Sequence, residues 1–109
     1  MKQNTESIDV VATFAAKPGK EQELEKLFRH LVEATHKEAG CLLYSLHRSS
    51  LDPDSFFFVE KWASQKDLDA HLKSPHVASA LQRKDELIQS MSIVPLQALG
   101  GGDPTKNSL

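Results

Sequence analysis

The sequence has few of the residues that build covalent and metal-bound sites. Its 109 residues include one cysteine, Cys41, which cannot form an internal disulfide. A lone cysteine is typical of a reducing compartment, so a cytoplasmic location is expected. The spacings Cys-x-x-Cys and His-Glu-x-x-His do not occur, and neither does an aspartate-rich calcium loop. We therefore expect no metal.

Glycine is also scarce, and its placement argues against a phosphate-binding loop. The one glycine cluster, Gly100 to Gly102, has no helical pattern after it, whereas such loops lead into the N-terminus of a helix. The nucleophile motif Gly-x-Ser-x-Gly is missing as well. The common routes to a cofactor or a covalent nucleophile are thus largely closed, and no cofactor is expected.

An excess of positive charge and long apolar runs are both lacking. The formal net charge is -2, which argues against a nucleic-acid partner because such proteins usually have a basic surface. The first seven residues are polar and the hydrophobic h-region of a signal peptide does not follow them, so no secretory signal is expected. No apolar run is long enough to cross a bilayer, so no membrane partner is expected.

The hydrophobic pattern alternates between the periods of strands and helices. Leu24, Leu27, Phe28 and Leu31 recur every three or four residues, as on one face of an amphipathic helix. Pro95 lacks a donor for a sheet ladder, so its strand should lie at an edge or be bulged. Ser64 is a helix cap, and Pro75 ends one helix and opens the next. Strands are predicted at 8–15, 41–48, 56–62 and 91–99, helices at 20–37, 64–73 and 75–89, a loose arm at 1–7 and a disordered tail at 100–109.

This order, β-α-β-β-α-β, predicts the ferredoxin-like split βαβ arrangement of the α+β class, with helices on one face of an antiparallel sheet. Both strand faces contain apolar residues: Leu42, Tyr44 and Leu46 share one face of the second strand, while Leu43 lies on the other. A bare apolar sheet face in water would be a large exposed patch. We therefore predict a homodimer whose sheets pack face to face.

Four segments resemble the antibiotic biosynthesis monooxygenase family of dimeric α+β barrels, which includes small quinol monooxygenases. They are KPGKEQELEKL, EAGCLLYSLHR, FFFVEKWAS and LDAHLKSPHV, and the resemblance extends over residues 8–99. It implies a pocket between the helices and the sheet. It also implies oxidation of electron-rich aromatic molecules by O2 without flavin, haem or metal.

The haem-degrading branch of that family is not expected. Its members have a tryptophan after the third strand and a histidine ten residues later. Aligned on the Glu-x-Trp strand, these positions fall on His71 and Leu81. Neither required residue type is present, so haem is not the expected substrate.

Six residues are candidates for the site. His71 is the candidate proton acceptor, because imidazole titrates near neutrality; the alternative is a structural histidine. Glu60 could act as a base, orient a histidine or, as favoured from sequence, form a salt bridge across the dimer interface. Trp62 is either a pocket wall or a core residue. The remaining candidates for substrate binding are His76, Phe58 and Tyr44.

Neither the histidine pair nor the cysteine is expected to bind a metal or act as a nucleophile. His71 and His76 are five positions apart across a break, which is not a standard ligand spacing, so no metal is assigned to them. Cys41 is interpreted as a small buried hydrophobic residue without thiolate character.

Three functions remain open from the sequence. The first is a cofactor-free monooxygenase acting on a small quinol or polyphenol-like aromatic with O2. The second is a dimer that binds and sequesters a small aromatic ligand without turnover. The third is an isomerase of a small carbonyl compound, in which the same histidine moves protons without oxygen.

Overall fold

Four antiparallel strands form one sheet in the order β2-β3-β1-β4. The computed structural model describes residues 6–109, so most of the predicted N-terminal arm lies outside the described residues. The elements are β1 Ile8–Ala16, α1 Glu21–Thr35, β2 Cys41–Arg48, β3 Ser55–Trp62, α2 Gln65–Leu72, α3 Pro75–Leu81, α4 Lys84–Leu87 and β4 Ile88–Leu96. The predicted ferredoxin-like α+β fold is confirmed.

The core lies between the helices and one face of the sheet. Alternate residues of β1 and β3 are buried, and opposite partners such as Ala12 and Phe58 share that face. Phe28 of α1 packs on Phe58 with ring centroids 4.9 Å apart, and Phe14 lies 4.8 Å from Phe28. Aromatic rings in such tilted and edge arrangements supply much of the buried apolar area of a small domain.

The other sheet face stays partly open. Val11 and Val59 are opposite partners on it and are half-buried, while Val94 and Leu96 of β4 are 47% and 43% exposed. This alternation matches the prediction that both faces contain apolar residues.

The predicted bounds are wrong in the C-terminal third. Instead of one helix to about residue 89, α3 ends at Leu81 and the single turn of α4 ends at Leu87. Ile88 then has extended backbone angles and pairs with Ala16, so the strand begins three residues early and also ends earlier, at Leu96. The buried apolar residues at 87 and 88 fit the end of a helix and the start of a strand equally well, so the sequence pattern alone does not distinguish the two.

The strand pairing has two irregularities, and one of them changes the direction in which a side chain points. A bulge between Cys41 and Leu43 turns Leu42 outward, 56% exposed, so Leu42 does not share the covered face with Tyr44 as predicted. A second register shift lies opposite Ala15 and Ala16 rather than at Pro95, and β4 is an edge strand as Pro95 requires.

Outside the sheet lie the C-terminal tail and the helices. The tail 100–109 is exposed and includes a short 3-10 turn at Pro104–Lys106, where the Asp103 carboxylate accepts from the Thr105 N–H. Among residues 6–109, no helix combines the length and apolar character needed to cross a membrane.

Candidate active site

Two serine caps fix the position of the two candidate histidines. Ser64 Oγ accepts from the backbone N–H of Asp67 at the start of α2, and Ser74 Oγ accepts from that of Val77 at the start of α3. Ser74 Oγ also donates to the carbonyl of His71, at 2.7 Å. The end of α2, which includes His71, is therefore tied to the start of α3, which includes His76, as the Ser-Pro break predicts.

The loop between α1 and β2 brings a carboxylate to the same place. Gly40 is buried against α2, and a Cβ at this position would lie 2.2 Å from Cγ of Asp67. Only glycine permits so close an approach without displacing α2. Its carbonyl accepts from the N–H of Ala63, at 2.9 Å, which holds the loop beside the end of β3. Glu38, two residues earlier, is thereby held next to α2.

Glu38, His71 and His76 meet at one carboxylate oxygen. His71 Nδ1 and His76 Nε2 each lie 2.7 Å from Glu38 Oε2. An ionised carboxylate only accepts hydrogen bonds, so both of these nitrogens donate. A neutral His71 then has its lone pair on Nε2, for which residues 6–109 supply no hydrogen-bond partner.

Aromatic rings hold the His71 imidazole from the other side. The ring of Trp62 lies 4.4 Å from that of His71 at an interplanar angle of 33°, and the ring of Tyr44 lies 5.3 Å away. Trp62 Nε1 donates to Glu60 Oε1 at 2.9 Å, so the indole connects the two titratable candidates. The exposed fractions of His71 and Glu60 are 3% and 4%.

A small cavity of about 80 Å³ lies between the sheet and helices α1 to α3. Glu60, His71 and Tyr44 are its polar lining residues, and no lysine or arginine of residues 6–109 lines it. Leu72, Leu81 and Ile93 form a rim and are 42%, 39% and 40% exposed. Its apolar lining residues are Ala12, Phe14, Phe28, Leu31, Phe58, Leu72, Val77, Ala80, Leu81, Ile88, Met91 and Ile93.

The cavity is far smaller than typical ligand sites of ~300–1,000 Å³. An aromatic ring therefore needs the rim side chains to rotate before it can enter. Leucine and isoleucine side chains with this much exposure change rotamer rapidly. The structure thus describes a closed site with an apolar entrance.

Burial controls the pKa values of the polar lining residues. It raises the pKa of Glu60 to about 7; the hydrogen bond from Trp62 opposes this and the charge of Glu38 adds to it. Burial also lowers the pKa of His71, against the hydrogen bond and charge of Glu38. The pKa of Tyr44 is raised, mainly by burial. At neutral pH the cavity therefore presents an uncharged imidazole and a protonated phenol, with Glu60 close to half ionised.

Within the described residues, Glu38, His71 and His76 are also the set that could hold a divalent metal ion, since their ligand atoms lie within 4.8 Å of one another. Each nitrogen, however, is only 2.7 Å from the oxygen. Ligands at ~2.0–2.2 Å around a tetrahedral ion lie more than 3 Å apart. The three groups would have to separate to admit a metal, and their present arrangement is that of a hydrogen-bonded cluster.

The structure brings together four of the six predicted site residues. Tyr44, Phe58, Glu60 and His71 line the cavity. Of the two interpretations of Trp62, a pocket wall or a core residue, the structure fits the second: Trp62 is completely buried and packs behind His71.

The other predicted residue away from the cavity lining is His76. It lies on the far side of Glu38, where 24% of its side chain is exposed. Glu38 was not predicted as a site residue, because it is 33 residues from its partner His71 and no local pattern connects the two.

Glu60 also differs from its favoured interpretation. A salt bridge across the dimer interface would place it on the open sheet face. It lies instead on the covered face, opposite Val10 and Tyr44, and its observed partner is Trp62 of the same chain. The pairing that a buried carboxylate requires is supplied locally.

Cys41 matches its sequence interpretation. The thiol is half-buried, and burial together with the charges of Glu38 and Glu60 raises its pKa. It stays protonated at neutral pH, so it is not an activated nucleophile.

Curated relatives cover most of the chain. A probable quinol monooxygenase of Escherichia coli, YgiN, is 29% identical over 100 residues, which cover 83% of this chain and 96% of that protein. An uncharacterised Synechocystis protein, sll1783, is 28% identical over 81 residues, 74% of this chain. The matched region spans only 55% of the Synechocystis protein's length.

A solved structure and a family model agree with these relatives. The crystal structure of PA3566 from Pseudomonas aeruginosa is 30% identical, with a TM-score of 0.84, and the match covers 91% of this chain and 100% of that one. The family model described as antibiotic biosynthesis monooxygenase matches residues 7–83. These residues include the Glu38, His71 and His76 cluster. The chain therefore belongs to the antibiotic biosynthesis monooxygenase family.

Proposed function

We propose that the protein is a monooxygenase that oxidises a small, uncharged quinol or polyphenol-like aromatic with O2, without a flavin, haem or metal. One observation supports this above the others: a buried, neutral imidazole, His71, lines an otherwise largely apolar cavity. Its Nε2 is free to accept a phenolic proton. The E. coli relative described as a probable quinol monooxygenase supports the same substrate class.

The proposed reaction begins with proton transfer. His71 Nε2 accepts the proton of a substrate hydroxyl, which leaves a phenolate and an imidazolium. The phenolate transfers an electron to O2, and the resulting radical pair forms a C–O bond, giving a ring peroxide that takes the proton back from His71. Loss of the ring C–H proton with cleavage of the O–O bond then yields a carbonyl and water. For a quinol the balance is quinol plus O2 to hydroxyquinone plus water, and the substrate supplies every electron.

The cavity lining selects for substrate type. Apolar side chains contact the ring, while Glu60, with a pKa of about 7, can exchange hydrogen bonds with a substrate oxygen. Within the part of the chain that the structure describes, no lysine or arginine lines the cavity, so a sulfonate or carboxylate group would be buried without a partner. We therefore infer that anionic quinols are excluded.

Oxygen uptake with a matched pair of substrates tests the proposal. A reduced, unsubstituted naphthoquinone should be consumed with O2 by the wild-type protein, and its ring-sulfonated analogue should react at least ten times more slowly, the equivalent of ~1.4 kcal/mol. Heat-inactivated protein corrects for spontaneous oxidation of both compounds. Equal enzyme-dependent rates for the pair would argue against the assigned cavity, and no enzyme-dependent uptake would argue against oxygenation.

The second candidate function is to bind and sequester a small aromatic ligand without turnover. The apolar lining of the cavity favours this function as much as it favours oxygenation. A ligand that binds only the folded state raises the melting temperature. If the oxidised naphthoquinone raises it while the quinol drives no oxygen uptake, the protein is a binding dimer. The isomerase alternative would use the same His71 imidazole, and the oxygen-uptake assay separates it from oxygenation because it consumes no O2.

We also propose that the protein is a homodimer assembled through the open sheet face. Val59 lies at the centre of that face, between Val11 and Ser45. Val59→Lys should convert the dimer to a monomer in analytical ultracentrifugation, because a second copy would bury an unpaired charge. Leu51→Lys is the matched control, since Leu51 is 94% exposed in the loop between β2 and β3. A monomeric wild type, or a dimeric Val59 variant, would contradict this interface.

A further inference from the structure

We propose that Glu38 is the positioning residue of this site: its carboxylate holds the proton of His71 on Nδ1, so that Nε2 faces the cavity as the proton acceptor. The use of Nε2 as the acceptor of a substrate proton rests on the proposed function. The positioning itself is a property of the resting protein and can be observed without turnover. Glu38 does not itself line the cavity, and it acts through the imidazole of His71.

Geometry leaves His71 one orientation. Nδ1 is 2.7 Å from Glu38 Oε2, the indole of Trp62 lies 4.4 Å from the imidazole ring, and Ser74 fixes the backbone carbonyl of His71. A ring flip would break the bond to Glu38 and bring a carbon atom to the carboxylate. Glu38 and Trp62 therefore hold the imidazole ring while Ser74 holds its backbone, and the Nε2 edge is the one left for the cavity.

The identity of the acceptor determines the tautomer. A carboxylate has no proton to donate, so it is satisfied only by a protonated Nδ1. An amide at position 38 could instead donate to an unprotonated Nδ1, which would place the proton on Nε2 and block the acceptor. In the serine-protease triad, the corresponding change of a carboxylate to an amide lowers kcat by ~10⁴ through the wrong tautomer.

His76 supports Glu38 from the solvent side. Its Nε2 donates to the same oxygen at 2.7 Å, with 24% of the His76 side chain and 18% of the Glu38 side chain exposed. The groups that face His71 are Glu38 from the α1–β2 loop, His76 from α3, Tyr44 from β2 and Glu60 from β3. Of these, only Glu38 forms a hydrogen bond with the imidazole among residues 6–109, and its charge opposes the lowering of the His71 pKa by burial.

Nitrogen NMR of the His71 imidazole tests the positioning directly. In wild-type protein at pH 8, we expect the proton on Nδ1. In Glu38→Gln, we expect a shift of the population towards the Nε2-protonated form. Glu33→Gln, an exposed carboxylate on α1, is the matched control and should leave the wild-type pattern. A wild-type imidazole protonated on Nε2, or an unchanged pattern in Glu38→Gln, would overturn the inference, whatever the protein's activity.

Kinetics of naphthoquinol oxidation supply the second measurement. Glu38→Gln should lower kcat about 100-fold and leave KM within about two-fold, since the cavity lining is unchanged. Glu38→Asp should recover part of the rate, because it retains a carboxylate. At acidic pH, kcat/KM falls as His71 is protonated. In Glu38→Gln this fall should occur at lower pH, because the negative charge of Glu38 had raised the pKa of His71.

The same assay separates hydrogen bonding from a metal role. Wild-type protein dialysed against EDTA should retain its rate. If chelation abolishes the rate and Zn²⁺ or Fe²⁺ restores it, the three residues are metal ligands and the positioning role is wrong. If the tautomer pattern holds while no quinol is oxidised, the proposed function fails and the positioning stands.

Discussion

His71→Ala should lower kcat for naphthoquinol oxidation by about 100-fold or more, with the largest loss near neutral pH. The variant retains the apolar cavity but has no group to accept the phenolic proton, so the electron-rich phenolate forms only through solvent. Because burial lowers the pKa of His71, the wild-type rate should fall only when the medium becomes distinctly acidic. The rate of the variant should not show this fall at acidic pH, because the variant lacks the imidazole that is protonated there.

Two controls separate loss of the base from loss of the fold. His30→Ala removes an exposed imidazole from α1 and should leave kcat unchanged. In His71→Ala the deleted ring leaves a buried space, so added imidazole should restore part of the rate, whereas added pyrrole, which is not a base, should not. Ultracentrifugation checks that the assembly state of the variant matches wild type. An unchanged kcat in a folded variant would remove His71 from the mechanism.

The sequence pattern predicted the sheet and its covered face because alternation in strands is a local signal. Phe56, Phe58, Glu60 and Trp62 occupy alternate positions of β3, and the structure buries all four. The chain also marks its helix starts locally, through Ser64 and the Ser74-Pro75 pair. These features depend on neighbours in sequence, so a single chain suffices to identify them.

The site was only half predictable because its decisive contacts are not local. Glu38 comes from a loop, and its meeting with His71 depends on Gly40 letting that loop approach α2. Likewise no contact between Trp62 and Glu60 was predicted, yet Trp62 donates its N–H to Glu60 and packs its ring behind His71. The residue types indicated the chemistry, but tertiary packing determined which atoms meet.

Glu60→Gln should stabilise the protein in a strongly pH-dependent way, which follows from the burial of its carboxyl group. The folded protein holds the Glu60 proton more tightly than the unfolded chain does, because the pKa rises from 4.5 to about 7. The favourable contribution of Glu60 is therefore complete below about pH 4.5 and is lost as the pH rises through about 7. That interval corresponds to about 3 kcal/mol of unfolding free energy.

The glutamine variant avoids this loss because its amide is uncharged at every pH, while the amide oxygen can still accept from Trp62 Nε1. Compared with wild type, it should gain about 3 kcal/mol at pH 8, roughly 10 °C in melting temperature at fixed protein concentration, and at most about 1 kcal/mol at pH 5. Glu33→Gln removes the same charge from an exposed site and should show no such trend. A difference between Glu60→Gln and wild type that does not change from pH 5 to pH 8 would mean that Glu60 is not buried as an ionisable group. A widening difference would instead show that the folded protein tolerates an unfavourable charge beside the cavity, as expected if that charge serves the reaction rather than the fold.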